Sequence, residues 1–408
     1  MKKVLLVNPF VSPEYMWEQF KSKNIYVVAL YTSRIEDIDE YSLAKDGVFN
    51  ETLYIPIDVL VSNKYAELLN YNFDYVINGA EEYTIIFDMI SSIVLPHLSN
   101  LESTSLLRQD KYAMQKAVAD KNLGGIYTEI VNISPESKDV SDWSRVKYPV
   151  FCKPRNGYGS VNACKISNVD QLEQYINDVK DQNMFSTEYL IQEYISGTEI
   201  VVDSFSVNGI HYIGNIFKYE KVVIGGAPVY RSCKVLQDTD LCISLAKYAQ
   251  DVLDALDVRN GLTHSEIIVR DDGGFSLVEL NNRIHGARGA NLKLAQYMGY
   301  ETHLDLLINF VLYGNVGYEP KYLRPSMVSG LVCFAFNAKA YDSILYGNLL
   351  RELSSTKDVV MINHSNSIVD NQKISVLDLF CLVIFVNIDA NKVLSDFHEF
   401  LELDGLVK

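Results

Sequence analysis

Residues 261–283, GLTHSEIIVRDDGGFSLVELNNR, constrain this chain more than any other stretch. Two strand-like runs flank Asp271-Asp272-Gly273-Gly274, which predicts a β-hairpin with a four-residue turn. Closing Arg270 against Phe275 puts Glu266 opposite Glu279 and His264 opposite Asn281. Side chains two apart share a sheet face, so these four point to one side. Ile267, Val269, Val278 and Leu280 then form the core face, although Ile268 and Leu277 blur the alternation. Directly opposed acids repel each other. A divalent cation removes the conflict, and Mg²⁺ suits one or two carboxylates together with substrate phosphates. A solvated strand face would carry the same acids without an ion; the hairpin alone leaves both readings open.

A chain of 408 residues is too long for one core and predicts two to four domains. The net charge of −16 argues against a nucleic-acid partner, because phosphate backbones need a basic surface. The six cysteines have no metal-binding spacing, and several sit in apolar runs such as PVFCKP and LFCLVIF, which predicts reduced thiols. No secretory leader and no apolar run of membrane-spanning length is read from the sequence, so the expected location is the cytoplasm.

Short apolar strands alternate with helical stretches from residue 4 to residue 95, the rhythm of an open parallel sheet covered by helices. Loops at the C-terminal ends of such strands bind ligands. The loop Asn78–Tyr83, with Glu81 and Glu82, follows one of them, although acids in a first helical turn also favour the helix dipole. Residues 97–110 read as a polar linker, and Asp110–Asp120 as a helix opening with Lys111. In Tyr148–Lys165 a strand ending in Lys153 enters a loop with Gly157 and Gly159. Glycines let backbone N–H groups approach phosphate, and the lysine supplies a point charge. This hairpin lacks the strand-to-helix form and the GKS or GKT ending of a Walker loop, and no GxGxxG follows the first strand. Strands are expected over Tyr189–Glu193 and Glu199–Val207, and a mobile segment over Gly225–Lys234. Further on come an amphipathic helix over Asp238–Leu256, a largely helical Leu292–Leu312, and a small α+β unit after Arg324-Pro325.

In order, DKYAM with Lys111, PVFCKPRNGYGS with Lys153, LIQEYISGTE, THSE and ELNNR resemble the ATP-grasp superfamily. Within it the likeness is to bacterial L-amino-acid ligases that form dipeptides, and it extends over essentially the whole chain. It implies a multidomain α/β and α+β architecture: a flavodoxin-like N-terminal domain over 1–105, an ATP-grasp small subdomain with a glycine-rich lid over 106–188, a catalytic subdomain over 189–325, and a small C-terminal α+β domain over 326–408. Lys111 and Lys153 match phosphate-holding lysines, and Gly157, Gly159 and Ser160 match the covering loop. Gln192, Glu193 and Ile195 fall where adenine is met, and Glu199 matches the ribose-binding acid. Glu266, Glu279 and Asn281 match Mg²⁺ ligands, and Arg283 the arginine that steadies the transferring phosphate. His264 and Arg288 lie near that centre. Glu81 and Tyr83 match the amino-acid pocket, Glu81 facing the ammonium. Arg231, in a segment without a matching motif, is a further phosphate-contact candidate. The implied cofactors are ATP and Mg²⁺, with Mn²⁺ as a substitute, and the implied assembly is a homodimer. The implied reaction joins two L-amino acids through an aminoacyl phosphate, yielding ADP and phosphate. A ligase using another amine, a carboxylase-like step, and a regulatory nucleotide-binding protein are the alternatives.

Overall fold

The computed structural model describes residues 1–33, 48–57, 65–133, 146–156, 162–181, 188–224, 227–336, 353–362 and 379–404. The N-terminal part contains β1 (Lys3–Val7), α1 (Pro13–Ser22), β2 (Tyr26–Tyr31), β3 (Glu51–Tyr54), α2 (Tyr65–Leu69), β4 (Tyr75–Asn78) and α3 (Thr84–Val94). Its four strands form a parallel sheet in the order β3-β2-β1-β4. β1 and β4 are continuous apolar runs because both faces are covered. Val4, Leu6, Tyr75 and Ile77 enter a core shared with the large sheet, whereas Leu5, Val7 and Val76 pack beneath α3.

Two short helices follow, α4 (Leu106–Gln109) and α5 (Lys111–Asp120). Asp110 caps α5 by accepting from the Ala113 N–H, one of the donors a helix start leaves unpaired. The expected polar linker over 97–110 is instead a set of tight helical turns around a buried cation. Arg108 has no exposed side-chain surface, donates to Asp88 Oδ2 at 2.8 Å, and also binds the carbonyls of Leu101 and Asp257 at 2.9 Å.

A small antiparallel sheet contains β5 (Thr128–Asn132), β6 (Val150–Pro154), β7 (Cys164–Ile166) and β8 (Glu188–Glu193), in the order β5-β8-β6-β7, with α6 (Val169–Asp181) against it. β8, which the sequence reading gave to the catalytic unit, pairs with Val150–Pro154 in this sheet. The chain therefore passes to the large sheet after Glu193. That sheet holds β9 (Gly197–Val207), β10 (Ile210–Ile224), β11 (Ala227–Val235), β12 (Gly261–Arg270) and β13 (Phe275–Asn281), with α7 (Thr239–Ala255) packed on one face. β11 overturns the expected mobile segment over 225–234. From Ala227 onward the residues pair with β10, and Ser232 and Cys233 also pair with the C-terminal strands; Gly225 and Gly226 lie outside the described residues.

The segment expected as largely helical over 292–312 is two helices, α8 (Ala290–Tyr297) and α9 (His303–Tyr313). Gly299 takes the left-handed conformation that ends the first (φ +85°), and a reciprocal Thr302–Asp305 capping box begins the second. β14 (Ser329–Ala335), β15 (Thr356–Met361) and β16 (Cys381–Asn387), covered by α10 (Ala390–Asp404), extend the large sheet to eight strands, β13-β12-β9-β10-β11-β14-β16-β15. The C-terminal unit is thus hydrogen-bonded to the sheet of the candidate catalytic unit and not a free-standing layer. All six cysteines are free thiols. Among the described residues no helix is long and apolar enough to cross a membrane.

Breaking a buried ion pair from one side leaves an uncompensated charge. Asp88→Ala is therefore expected to lower the unfolding free energy by about 3–5 kcal/mol, measured as a shift in the urea midpoint.

Candidate active site

The hairpin sets the site, by a route that differs from the simple register. Arg270 N–H donates to Gly274 O at 2.8 Å and Gly273 N–H to Arg270 O at 2.9 Å, with Gly273 at φ +85°. The loop is therefore one residue shorter than expected, and Val269, not Arg270, pairs with Phe275. An irregularity between Glu266 and Ile267 then takes up one residue, Val278, and restores the pairs Glu266↔Glu279 and His264↔Asn281. Val278 consequently lines the cleft with Ile268, while Ile267, Leu277 and Leu280 enter the core. The two residues that blurred the alternation are explained by this bulge.

Between the small and large sheets lies a cleft of about 480 Å³. Lys153, Gln192, Glu193 and Ile195 line it from the small-sheet side, Glu199, Glu266 and Glu279 from the large sheet, and Lys111 from the start of α5. Gly157, Gly159 and Ser160 lie outside the described residues. Gln192 donates its amide to Thr128 Oγ1 at 2.9 Å, so its side chain is committed within its own sheet.

Charges in the cleft are mutually adjusted. Burial raises the Glu279 carboxyl, but Lys111 and then Lys153, with an amide hydrogen bond from Asn281, bring it down to about 2. Lys111 Nζ lies 3.4 Å from Glu279 Oε2, and Asn281 Nδ2 donates to Glu279 Oε1 at 3.3 Å. Burial lowers Lys153 below the ordinary lysine range despite Glu279. Burial raises the Glu199 carboxyl although Lys221 opposes this. Two carboxylates and an amide oxygen make a hard-oxygen donor set, and cations from two other elements approach it. These residues fit Mg²⁺.

The remaining candidates lie outside the lining of this cleft. Arg283 donates from Nε to Glu81 Oε2 and from Nη2 to Glu81 Oε1 at 3.2 Å. Burial alone would raise Glu81, but the guanidinium holds its carboxyl below the usual range; Arg283 in turn is kept charged against burial by Glu81, Glu266 and Glu279. Tyr83 packs its ring 5.4 Å from that of Phe10, with its hydroxyl 3.4 Å from Ser33 Oγ. Arg288 reaches Glu14 of α1 at 3.7 Å. Arg231 is not a cleft residue: the register shift after Glu220 gives the cleft side to Tyr230, and Arg231 lies over the Phe397 ring of α10 at 5.9 Å.

A buried network behind the acids escaped the sequence reading. Asp203 on β9 is fully buried, with Oδ1 3.0 Å from His264 Nδ1 and Oδ2 2.7 Å from His285 Nδ1. His264 Nε2 faces Glu266 Oε1 at 3.6 Å. His285 Nε2 meets the Tyr219 hydroxyl at 2.8 Å, and Asn291 donates to that hydroxyl at the same distance. Burial works against His264, but its bonds to Asp203 and Glu266 push it up to about 9; burial drives His303, beside the same aspartate, down to about 4. The available signal was an acid on the β9 face otherwise made of Val201, Phe205 and Val207.

The two sheets enclose a cleft with Lys153 on the small-sheet side, Lys111 at a helix start and opposed glutamates on the large sheet. Residues 146–291 match the ATP-grasp domain family, and the chain has the ATP-grasp fold. Its fold is similar over 98% of the chain to the L-amino acid ligase of Bacillus licheniformis (TM-score 0.74, 14% identity, 97% of that chain covered). It is also similar over its full length to the carboxyaminoimidazole ribonucleotide synthase of Aspergillus clavatus complexed with ATP (TM-score 0.71, 11% identity, 99% covered). In sequence it is 25% identical over 240 residues to dapdiamide A synthase of Enterobacter agglomerans, a match spanning 57% of this chain and 56% of that relative.

Arg283 and Glu81 are each mostly covered, so their coupling survives screening. A double-mutant cycle with Arg283→Met and Glu81→Gln is expected to give about 1–3 kcal/mol of coupling in unfolding free energy.

Proposed function

We propose that the protein is an ATP- and Mg²⁺-dependent ligase that joins two L-amino acids into a dipeptide, releasing ADP and phosphate. The observation that carries this reading is the opposed pair Glu266 and Glu279 on one cleft wall, with Lys111 and Lys153 brought to them from two other elements. The named similarities to an L-amino acid ligase and to dapdiamide A synthase support the choice of substrates.

A carboxylate oxygen of the first amino acid attacks the γ-phosphorus of ATP. The bond to the β-phosphate oxygen breaks, giving an acyl phosphate and ADP. The neutral amine of the second amino acid then attacks the acyl carbon and loses a proton, and the carbon–oxygen bond to phosphate breaks. Phosphoryl transfer needs in-line positioning and charge neutralisation more than a protein nucleophile. Lys111 and Lys153 would hold the phosphates, and Arg283 the developing charge at the acyl centre. Glu266, Glu279 and Asn281 would hold Mg²⁺, which supplies charge neutralisation across the phosphate oxygens when bound. Glu81 accepts from Arg283 on both oxygens, and a turn of Arg283 toward the acyl phosphate would free this carboxylate for a substrate ammonium.

Likeness to a carboxyaminoimidazole ribonucleotide synthase is the observation that favours a second reading, a carboxylase-like step on the same fold. Incubation with ATP, Mg²⁺ and amino-acid mixtures separates the readings. ADP and phosphate release that requires two amino acids, with a dipeptide seen by mass spectrometry, is the expected result. Release that depends on bicarbonate, or on a single amino acid with another amine, supports the alternatives. Nucleotide binding without turnover in any mixture would make the protein a regulatory binder. Glu279→Ala is expected to reduce turnover by at least about 10²-fold with an unchanged circular dichroism spectrum. Lys153→Ala is expected to raise the KM for ATP about tenfold or more.

A further inference from the structure

Lys221 forms an ion pair in the cleft wall with Glu199, the acid that matches a ribose-binding residue, and the reaction scheme leaves this lysine without a task. Lys221 stands on β10 where the register shift after Glu220 sets it opposite Tyr230. Its Nζ lies 2.5 Å from Glu199 Oε2 and 4.4 Å from the centre of the Tyr230 ring. The two side chains are 26% and 19% exposed, and all three residues line the cleft. The second oxygen, Glu199 Oε1, is buried and has no hydrogen-bond partner.

A buried carboxylate oxygen lacking a donor is unfavourable and marks a place for one. The kind of donor follows from charge. An unpaired acid would draw a cation, whereas Glu199 already has an ammonium on its other oxygen, so a neutral hydroxyl completes it without crowding a second positive charge beside Lys221. The Tyr230 ring face is electron-rich and holds the ammonium where it is. Glu266 and Glu279 both disfavour the Glu199 charge, and Lys221 offsets them at short range.

We propose that Lys221 is a positioning residue for sugar recognition: it fixes one Glu199 oxygen so that the other accepts from a ribose hydroxyl, making the cleft selective for ribonucleotides over deoxyribonucleotides. This rests on the ATP reading of the cleft. Removing Lys221 would leave Glu199 free to rotate or to take up a proton, and the oxygen facing the sugar would no longer be a fixed acceptor.

The test is equilibrium binding of ATP, 2′-deoxy-ATP and 3′-deoxy-ATP to the full chain and to Lys221→Met, Lys221→Arg and Glu199→Gln. The wild-type protein is expected to bind ATP about tenfold or more tightly than at least one of the deoxynucleotides, the scale of one charge-assisted hydrogen bond. Lys221→Met and Glu199→Gln should each bring that ratio to within about threefold of unity, while Lys221→Arg keeps most of it. A lysine that merely supports the fold would weaken all three nucleotides alike, so an unchanged ratio in Lys221→Met overturns the proposal. No preference in the wild-type protein also overturns it. ATP binding without sugar selectivity leaves the ligase reading standing; failure to bind any of the three nucleotides overturns both.

Discussion

Two carboxylates directly across neighbouring strands are unfavourable by themselves, and much of this molecule answers to that repulsion. Glu266 and Glu279 share one face of the hairpin, and the charges that offset them come from elsewhere in the chain: Lys111 from a capped helix start and Lys153 from the small sheet. Burial penalises the Lys153 ammonium and lowers its pKa, and Glu279 and Glu266 act against that penalty. Each side of the cleft thus carries a charge that depends on the other. The same mutual dependence is what a bound metal–phosphate group would exploit, since it brings both signs of charge at once.

Behind the acids, Asp203 ties three other elements to the site. It receives His264 from the hairpin and His285 from the segment after it, and it lies beside His303 at the start of α9. Asp203 is hydrogen-bonded on both oxygens, and a buried acid satisfied by two elements favours one arrangement of them. The irregular segment Asn282–Gly286 has buried backbone groups that need partners. The N-terminal unit supplies some of them: Asn78 of β4 donates to Asn282 O at 2.8 Å and Ser12, ahead of α1, to His285 O at 2.9 Å. Glu81, in the same unit, holds Arg283. The N-terminal unit therefore completes the site as well as covering it.

Much of this was legible in local pattern. The facing of residues 264, 266, 279 and 281 follows from period-two geometry and a short turn, and it came out correctly even though two register errors were involved, one at the turn and a compensating one at Val278. The break between α8 and α9 was missed in a stretch expected as largely helical, although Gly299 and the Thr302-x-x-Asp305 pattern mark it. β11 was not legible, because two adjacent glycines and mixed side chains look like a loop until strands on both sides supply hydrogen-bond partners. The glycine loop at 157–160 remains an expectation from sequence.

Within unbroken stretches of strand, alternation determined which residues share a face, and the sequence alone carried that information, because side-chain direction there depends only on neighbouring backbone; the bulges at Val278 and Arg231 were decided by strand pairing. Helix starts at Asp110, Asp238 and Thr302 were similarly local, since a capping side chain serves donors within its own first turn. Only the tertiary structure decided that Asp203 lies among histidines, that Glu81 binds Arg283, and that Lys221 binds Glu199. These partners are separated by 22 to more than 200 residues, and a charge's partner is chosen by distance in space, to which sequence separation gives no guide.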